Sequence, residues 1–177
     1  MFSIEKIKEY LVFGLKGKVQ EISLEKDTFV IFVHKDDITE VLGLLKNGSS
    51  LKMEQLISIC GIDYPNDKER FVIVYNLLSL SNNLRVRVKV KTDSNVPSVF
   101  SVYKNAVWYE REVFDMFGVN FIGNPDPRRI LSDYEFEGYP LRKDFPLSGH
   151  KEVIYDEKQG RVVYVPVNIE REHREYQ

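Results

Sequence analysis

Acidic and basic side chains alternate in one short stretch of this chain, and their types and spacing could do chemistry. Four carboxylates lie there: Glu110, Glu112, Asp115 and Asp133. Two of them could act as general acid and general base, as in hydrolases. Three arginines lie close to them in sequence: Arg111, Arg128 and Arg129. Because a neighbouring arginine lowers a carboxylate pKa and makes a poor general acid, we favour a network of bidentate ion pairs that fixes the chain.

The segment from residue 108 to residue 147 is rich in aromatic side chains. Glycines and prolines interrupt it at Gly118, Gly123, Pro125, Pro127, Gly138, Pro140 and Pro146. Neither a helical nor a strand period continues through these interruptions. Aromatic residues and arginine are enriched at the buried centres of protein interfaces. The segment therefore predicts a surface on which another protein docks.

The sequence lacks the residue patterns of metal, phosphate and dinucleotide binding sites. Three histidines and the single cysteine, Cys60, do not have the clustered spacing of zinc or iron–sulfur ligands. The glycines and lysines of residues 14–18 follow a predicted helix and lack the spacing of a phosphate-binding loop, and no G-x-G-x-x-G pattern occurs. We predict no catalytic, metal-binding or cofactor-binding residue on this chain, and a buried, apolar environment for Cys60.

Composition indicates one domain with its own core, since 43% of the 177 residues are hydrophobic. The net charge of -2 gives no general attraction to nucleic acid or to anionic membranes. No apolar stretch approaches the roughly 18 residues of a membrane span, and early charges interrupt any signal-peptide pattern. We expect a soluble protein that meets a membrane only through other subunits.

One predicted strand carries a cationic row: Arg85, Arg87, Lys89 and Lys91. Such a row could stack and bind single-stranded RNA. We interpret it as a solvated sheet face or as protection of an edge strand. An RNA-binding module and a small carboxylate hydrolase remain the alternatives to a docking protein.

Hydrophobic periodicity predicts helices and strands in the order α-β-β-α-β-β-β-α. The predicted strands cover residues 19–24, 28–33, 59–64, 70–80 and 84–91. The predicted helices cover residues 4–15 after an N-cap at Ser3, residues 38–47 after a capping box of Asp37 and Glu40, and residues 97–117, with a further short helix at 52–57. The order favours an α+β fold, with a mostly antiparallel or mixed sheet and helices on one face.

We predict a globular domain over residues 1–118 and an extended, irregular C-terminal arm over residues 119–177. Gly118 suits the left-handed residue that ends a helix. A tail this long without regular structure is either disordered or laid along a partner. Its aromatic content argues against disorder, which favours low hydrophobicity.

The chain resembles the C subunit, or 30-kilodalton subunit, of proton-pumping NADH:quinone oxidoreductase, respiratory complex I. The resemblance is most specific in three blocks, at residues 108–118, 128–134 and 140–147. The residues that carry it, and that we expect at the partner interface, are Trp108, Glu110, Arg111, Glu112, Asp115, Phe117, Gly118, Arg128, Arg129, Asp133, Tyr134, Pro140, Leu141, Arg142, Lys143, Asp144, Phe145 and Pro146.

The resemblance implies a non-catalytic core subunit of the peripheral arm of the complex. Its C-terminal arm would clasp the D subunit near the B and I subunits. NAD, FMN, iron–sulfur clusters and quinone would all belong to the assembled complex, and none to this chain. The implied location is the cytoplasmic face of a bacterial inner membrane or the matrix face of the mitochondrial one.

The chain departs from the family pattern at three positions. Family members often carry histidine where this chain has Asn124 and Tyr139, and leucine where it has Pro127. These departures weaken a role for those histidines in proton transfer. They leave the predicted docking role unchanged, and related hydrogenase and NDH-type complexes remain the nearest alternative assignment.

Overall fold

Five strands build one central sheet, and the chain has a mixed α+β fold. The computed structural model describes residues 4–15, 17–26, 28–48 and 51–167. The five strands of the sheet are β1 (Val19–Glu25), β2 (Thr28–Val33), β3 (Gln55–Asp63), β4 (Phe71–Ser79) and β5 (Leu84–Thr92). They lie in the order β1-β2-β5-β4-β3. The β2–β5 pair is parallel and the other three pairs are antiparallel, so the sheet is mixed.

One face of the sheet carries the core. Val86, Val88 and Val90 of β5 are buried there beside Ile73 and Ile31 of the neighbouring strands. The helices that share this core are α1 (Ile4–Glu9), which continues as a π-helical turn over Tyr10–Gly14, α2 (Ile38–Asn47) and α3 (Ala106–Phe117). In α2 the predicted apolar stripe is buried as expected: Ile38, Val41, Leu42 and Leu45. Within the described residues, none of these helices is long and apolar enough to cross a membrane.

Phe117, the last residue of α3, fixes that helix on the sheet. Its ring packs directly over Gly61 of β3 and lies edge-on to Phe71, with ring centroids 6.5 Å apart. A side chain at position 61 would occupy the space of this ring. Gly118 then ends α3 with φ 73° and ψ 23°, the left-handed conformation that the sequence predicts.

The short helix predicted at residues 52–57 is wrong, because β3 begins at Gln55. Leu56 and Ile59 are both buried, which mimics helical spacing. A β-bulge between Leu56 and Ser58 adds one residue to the strand and turns both side chains inward. Pairing with β4 therefore outweighs the local pattern.

The helix predicted to begin at Pro97 is also wrong. Asn95–Pro97 forms a short strand, β6, which pairs in parallel with β7 (Asn120–Ile122). Turns follow until α3 begins at Ala106. Val99 and Tyr103 are buried as their spacing suggested, but the pairing with β7 keeps the backbone at Pro97 extended.

Three smaller predictions fail for reasons of tertiary contact. Asp37 makes no capping hydrogen bond, because Lys18 Nζ binds Asp37 Oδ1 at 2.8 Å and Glu40 Oε2 at 2.5 Å. Cys60 is exposed, since it lies on the sheet face opposite the core. Of the two interpretations of the cationic row of β5, protection of an edge is wrong, because β5 lies between β2 and β4, and the solvated sheet face is the one that remains. The predicted N-cap Ser3 lies outside the described residues.

The C-terminal part of the chain has little regular structure. Val119 and Phe121 are still buried in the core, so the folded domain continues past Gly118. From residue 123 to residue 150 the backbone follows turns and bends, and then β8 (Lys151–Asp156) and β9 (Arg161–Pro166) form an antiparallel hairpin. No residue from 123 to 167 is buried. This segment depends on the domain for its support and contributes little to the core.

We expect Gly61→Ala to destabilise the chain by about 1–3 kcal/mol, because the new Cβ would lie 2.6 Å from the Phe117 ring. Gly43→Ala in α2 is the matched control. Its Cβ meets no atom within 4 Å, so helix propensity should raise the free energy of unfolding by roughly 0.5–1 kcal/mol. Urea unfolding followed by circular dichroism measures both. Equal midpoints for Gly61→Ala and the wild type would show that Phe117 does not fix α3.

Candidate protein-docking site

The buried carboxylate of Asp115, near the end of α3, binds the chain that follows the helix. Its Oδ1 accepts from Arg129 Nη1 at 2.7 Å. Its Oδ2 accepts three backbone N–H groups, from Ile130 at 3.1 Å, Leu131 at 2.7 Å and Ser132 at 2.9 Å. Burial raises the pKa of Asp115, but these donors outweigh it and hold the pKa at about 2. The segment 129–132 therefore wraps around one fixed negative charge.

Arg111 forms a second attachment one turn earlier in α3. Its Nε donates to the carbonyl oxygen of Arg128 at 2.7 Å, and its Nη2 donates to that of Arg129 at 3.0 Å. Its Nη1 lies 3.1 Å from Asp126 Oδ2. The guanidinium also lies over the exposed ring of Trp108, 5.1 Å from its centroid. One arginine thus satisfies two carbonyl groups of an irregular backbone.

Glu110 joins the start of the irregular segment to the loop before α3. Its buried carboxylate accepts from Ser98 Oγ at 2.7 Å, from Val99 N at 2.8 Å and from Asn124 Nδ2 at 2.7 Å. Burial raises the pKa of Glu110, and these hydrogen bonds oppose the rise without reversing it. The arginine partner expected for Glu110 from the sequence is wrong, because all three donors are neutral. Asn124, one of the departures from the family pattern, supplies one of them.

Arg142 brings the later part of the segment back to the end of α3. Its Nε donates to the carbonyl oxygen of Phe117 at 2.6 Å. Its guanidinium lies 5.2 Å from the ring centroid of Phe71 and 4.3 Å from that of Tyr139. A Cβ at Gly118 would come within 2.5 Å of both Arg142 and Tyr139. Glycine at position 118 is needed for this approach as well as for its positive φ.

Arg70 links the sheet to the same segment, and the sequence analysis missed it. Its guanidinium binds Asp63 through Nε at 2.6 Å and Nη2 at 2.8 Å, and Asp144 through Nη1 at 3.0 Å and Nη2 at 2.8 Å. Asp63 Oδ2 also accepts from the Lys143 backbone N–H at 2.7 Å. The hydrogen bonds from Arg70 lower the pKa of Asp63 and of Asp144. The turn between β3 and β4 was the available signal, because it sets Asp63 beside Arg70.

Asp144 belongs to the motif residues expected at the partner interface, and in the structure its carboxylate pairs with Arg70 of the sheet domain. Arg128 pairs with Asp126 on the surface, with Nε at 2.7 Å from Oδ1. Asp133 accepts a hydrogen bond from the hydroxyl of Tyr164 in β9. Several of the predicted charges thus order the arm itself.

The predicted interface residues fall into three groups by exposure. Four are buried and act from inside: Glu110, Arg111, Asp115 and Phe117. Five are half-buried: Gly118, Arg129, Pro140, Arg142 and Phe145. Nine are exposed and face solvent in this chain: Trp108, Glu112, Arg128, Asp133, Tyr134, Leu141, Lys143, Asp144 and Pro146. Only the nine exposed residues of this set have a large part of their surface available for contact with a partner.

Asp115→Asn should lower the free energy of unfolding by roughly 2–3 kcal/mol near neutral pH, because the buried charge and its pairing with Arg129 are lost. The folded-state pKa of about 2 lies below the ordinary 3.8, so Asp115 stabilises the fold above that ordinary value. This contribution disappears as the pH falls toward 2. Urea titrations over that pH range should show wild type and variant converging in acid.

Glu112→Gln is the matched control on the same helix, since Glu112 is exposed and has no hydrogen bond or ion pair among the described residues. It should change stability by less than about 0.5 kcal/mol at every pH. A gap between wild type and Asp115→Asn that stays constant with pH would contradict the assignment of a low pKa to Asp115.

In the described part of the chain, no group of three or more His, Cys, Asp and Glu side chains is placed to hold a metal ion. The two buried carboxylates of α3, Glu110 and Asp115, are instead occupied by arginine, amide, backbone N–H and hydroxyl donors. The geometry is that of a backbone segment held in place by side chains of one helix. Such an arrangement can present a surface of fixed shape to another protein.

The chain is similar in sequence to known proteins. A sequence model described as the respiratory-chain NADH dehydrogenase, 30 Kd subunit, matches residues 31–151. A protein of Methylobacterium sp. (strain 4-46) is 46% identical over 176 residues, which cover 98% of this chain and 82% of the relative. A protein of Chelativorans sp. (strain BNC1) is 48% identical over 169 residues, covering 94% and 84%. Both relatives carry the name of the C subunit of NADH-quinone oxidoreductase.

Two solved structures share the fold. A trypsin-resistant fragment (1-134) of Nqo5 matches with a TM-score of 0.59 and 28% identity, covering 70% of this chain and 98% of the fragment. A chain of the membrane-bound sulfane sulfur reductase, an archaeal respiratory membrane complex, matches with a TM-score of 0.68 and 28% identity, covering 81% and 85%. On the family match and the near-full-length relatives, the chain belongs to the family of the 30 Kd subunit of respiratory-chain NADH dehydrogenase, the C subunit of NADH-quinone oxidoreductase.

Proposed function

We propose that this chain is a non-catalytic core subunit of the peripheral arm of complex I, and that its C-terminal arm, from residue 123 onward, clasps the D subunit beside the B and I subunits. The observation that carries the proposal is the exposure of residues 123–167. None of them is buried, yet α3 and Arg70 hold their backbone in place at several points. A segment that is ordered but unburied is suited to burial against another protein.

Energetics support this interpretation. Ordering a residue costs roughly 1–2 kcal/mol of backbone entropy, and a segment that buries no side chain recovers little of that cost within its own chain. Large apolar side chains of the arm also face solvent, among them Leu131, Tyr134, Leu141 and Leu147. Burying apolar surface of this kind is favourable by roughly 25 cal/mol per Å², and tyrosine is enriched among the residues that dominate binding energy. A partner surface would recover what the isolated chain leaves exposed.

The proposed role is mechanical and leaves electron transfer to other subunits. Three of the four carboxylates that could serve as general acids are engaged: Asp115 by Arg129 and three backbone N–H groups, Glu110 by three neutral donors, and Asp133 by the hydroxyl of Tyr164. The fourth, Glu112, is exposed to solvent. NAD, FMN, iron–sulfur clusters and quinone would be held elsewhere in the complex. By the same proposal the chain lies peripherally on the cytoplasmic side of a bacterial inner membrane.

Membership of a sister complex is the second candidate, and the match to the archaeal sulfane sulfur reductase complex favours it. The higher identity to the NADH-quinone oxidoreductase subunits, 46% and 48% against 28%, favours complex I. RNA binding by the cationic row of β5 is less favoured. Glu25 lies 3.8 Å from both Arg87 and Lys89, and its charge opposes an anionic ligand.

Arg129→Ala and Asp144→Ala should reduce assembly of the complex more than they disturb the fold of residues 1–95. Arg129→Ala leaves the buried Asp115 charge without its cation and should release the segment 129–132. Asp144 is 62% exposed, so its loss should cost the chain at most about 1 kcal/mol and affect assembly less than Arg129→Ala. Co-purification from native membranes and NADH:quinone reductase activity measure assembly, and urea unfolding of the purified chain measures the fold.

Arg85→Ala serves as the control for loss of a cation outside the arm, because Arg85 is exposed and has no ion pair among the described residues. It should leave co-purification and activity unchanged. Wild-type assembly and activity in both arm variants would remove the clasp proposal. Recovery of a sulfur reductase or hydrogenase subunit with the wild-type chain would move it to the sister complexes.

A further inference from the structure

One face of the β8–β9 hairpin is apolar and uncovered by the described residues. Cross-strand pairing places Val153 opposite Tyr164 and Tyr155 opposite Val162 on that face. These side chains are exposed to 55%, 47%, 64% and 58%, respectively. An isolated two-stranded hairpin is marginally stable in water unless an apolar face packs against something. The hairpin face therefore lacks a partner that its composition requires.

Two residues of this face, Val153 and Tyr164, line a groove of about 510 Å³, and Tyr155 and Val162 continue the apolar face beyond it. Phe136 and Phe145 form one wall, with their ring centroids 5.9 Å apart, and His150 lies edge-on to Phe145. Pro166 of the hairpin also lines the groove. The groove is thus apolar at its base and lies between the irregular part of the arm and its terminal hairpin.

The rim of the groove is acidic. Asp133, Glu135 and Glu137 line it, against a single lysine, Lys151, whose Nζ is 2.9 Å from Glu137 Oε1. Asp133 is occupied by the hydroxyl of Tyr164, whereas Glu135 is exposed and has no hydrogen bond or ion pair in the described part of the chain. Excess negative charge attracts a cation and repels anionic lipid headgroups.

We propose that this groove binds a segment of a partner subunit that carries a large apolar side chain beside an arginine or lysine. The apolar side chain lies against Val153 and Tyr164, and the cation lies at the rim near Glu135. This inference rests on the proposed function, because it names the chemistry of the partner segment that the arm receives. The acidic rim disfavours the alternative of a membrane surface.

Photo-crosslinking in the assembled complex tests the proposal. A benzophenone amino acid replaces Val162 in the tagged chain, and mass spectrometry of the membrane-purified complex identifies the crosslinked peptide. We expect a peptide from another subunit that contains a basic residue next to a large apolar one. The same probe at Leu80, exposed to 63% in the globular domain, should not capture that peptide.

Charge reversal provides the second measurement. Glu135→Lys should lower the crosslink yield from position 162 by about three- to tenfold at low ionic strength, and the difference should shrink in about 0.5 M salt. Glu69→Lys, an exposed carboxylate in the turn before β4, is the matched control and should leave the yield unchanged. An equal yield in the Glu135→Lys complex would overturn the electrostatic part of the proposal.

The remaining outcomes separate the inference from the proposed function. A crosslink to residues 168–177 of the same chain, to lipid, or to no peptide in an otherwise intact complex would overturn the groove proposal and leave the clasp standing. Failure of the unsubstituted wild-type chain to co-purify with any other protein of complex I would overturn the proposed function itself.

Discussion

The C-terminal arm of this chain depends on the hydrogen bonds that the buried carboxylate of Asp115 accepts. A buried charge is costly unless hydrogen-bond donors surround it. The donors to Asp115 come from the chain that follows α3. Arg129 and the backbone N–H groups of residues 130–132 meet that need. The hydrogen bonds that stabilise this one buried charge thus also fix the backbone of residues 129–132, which have no hydrophobic core of their own.

Other residues of α3 also bind the C-terminal arm, at successive positions along the helix. Glu110 holds Asn124, Arg111 holds the carbonyl groups of residues 128 and 129, and the carbonyl groups of Met116 and Phe117 receive Leu141 N and Arg142 Nε. Because Phe117 packs over Gly61, the helix cannot shift on the sheet without losing a core contact. The arm between Asn124 and Asp144 is therefore attached directly to the helix and to the sheet beneath it.

The sequence predicts those features that depend on near neighbours. The alternation of β5, the apolar stripe of α2 and the left-handed Gly118 all follow from local spacing, and the structure confirms them. The failures occur where a distant residue decides. The bulge in β3 gives the start of this strand a helix-like spacing of buried residues, which led to the wrong helix prediction. Pairing with β7 keeps Pro97 extended, and Arg70 binds Asp144 to the sheet. In the site, the acid–arginine pattern predicts that the arm is attached, but the partners of Arg70 and Asn124 are set by contacts between residues distant in sequence.

The parallel pairing of β2 with β5 also affects the order of events during synthesis. Residues 29–33 of β2 become an inner strand of the sheet only after residues 86–90 of β5 pair with them. The β1–β2 hairpin can therefore join the sheet only after β3, β4 and β5 have been synthesised. Pairing between segments so distant in sequence is slow to form. The arm leaves the ribosome after β5 and α3 in every case, because it follows them in the chain. Its apolar side chains therefore emerge when the domain that fixes them can already fold, which shortens the time they spend as an unsupported, aggregation-prone segment.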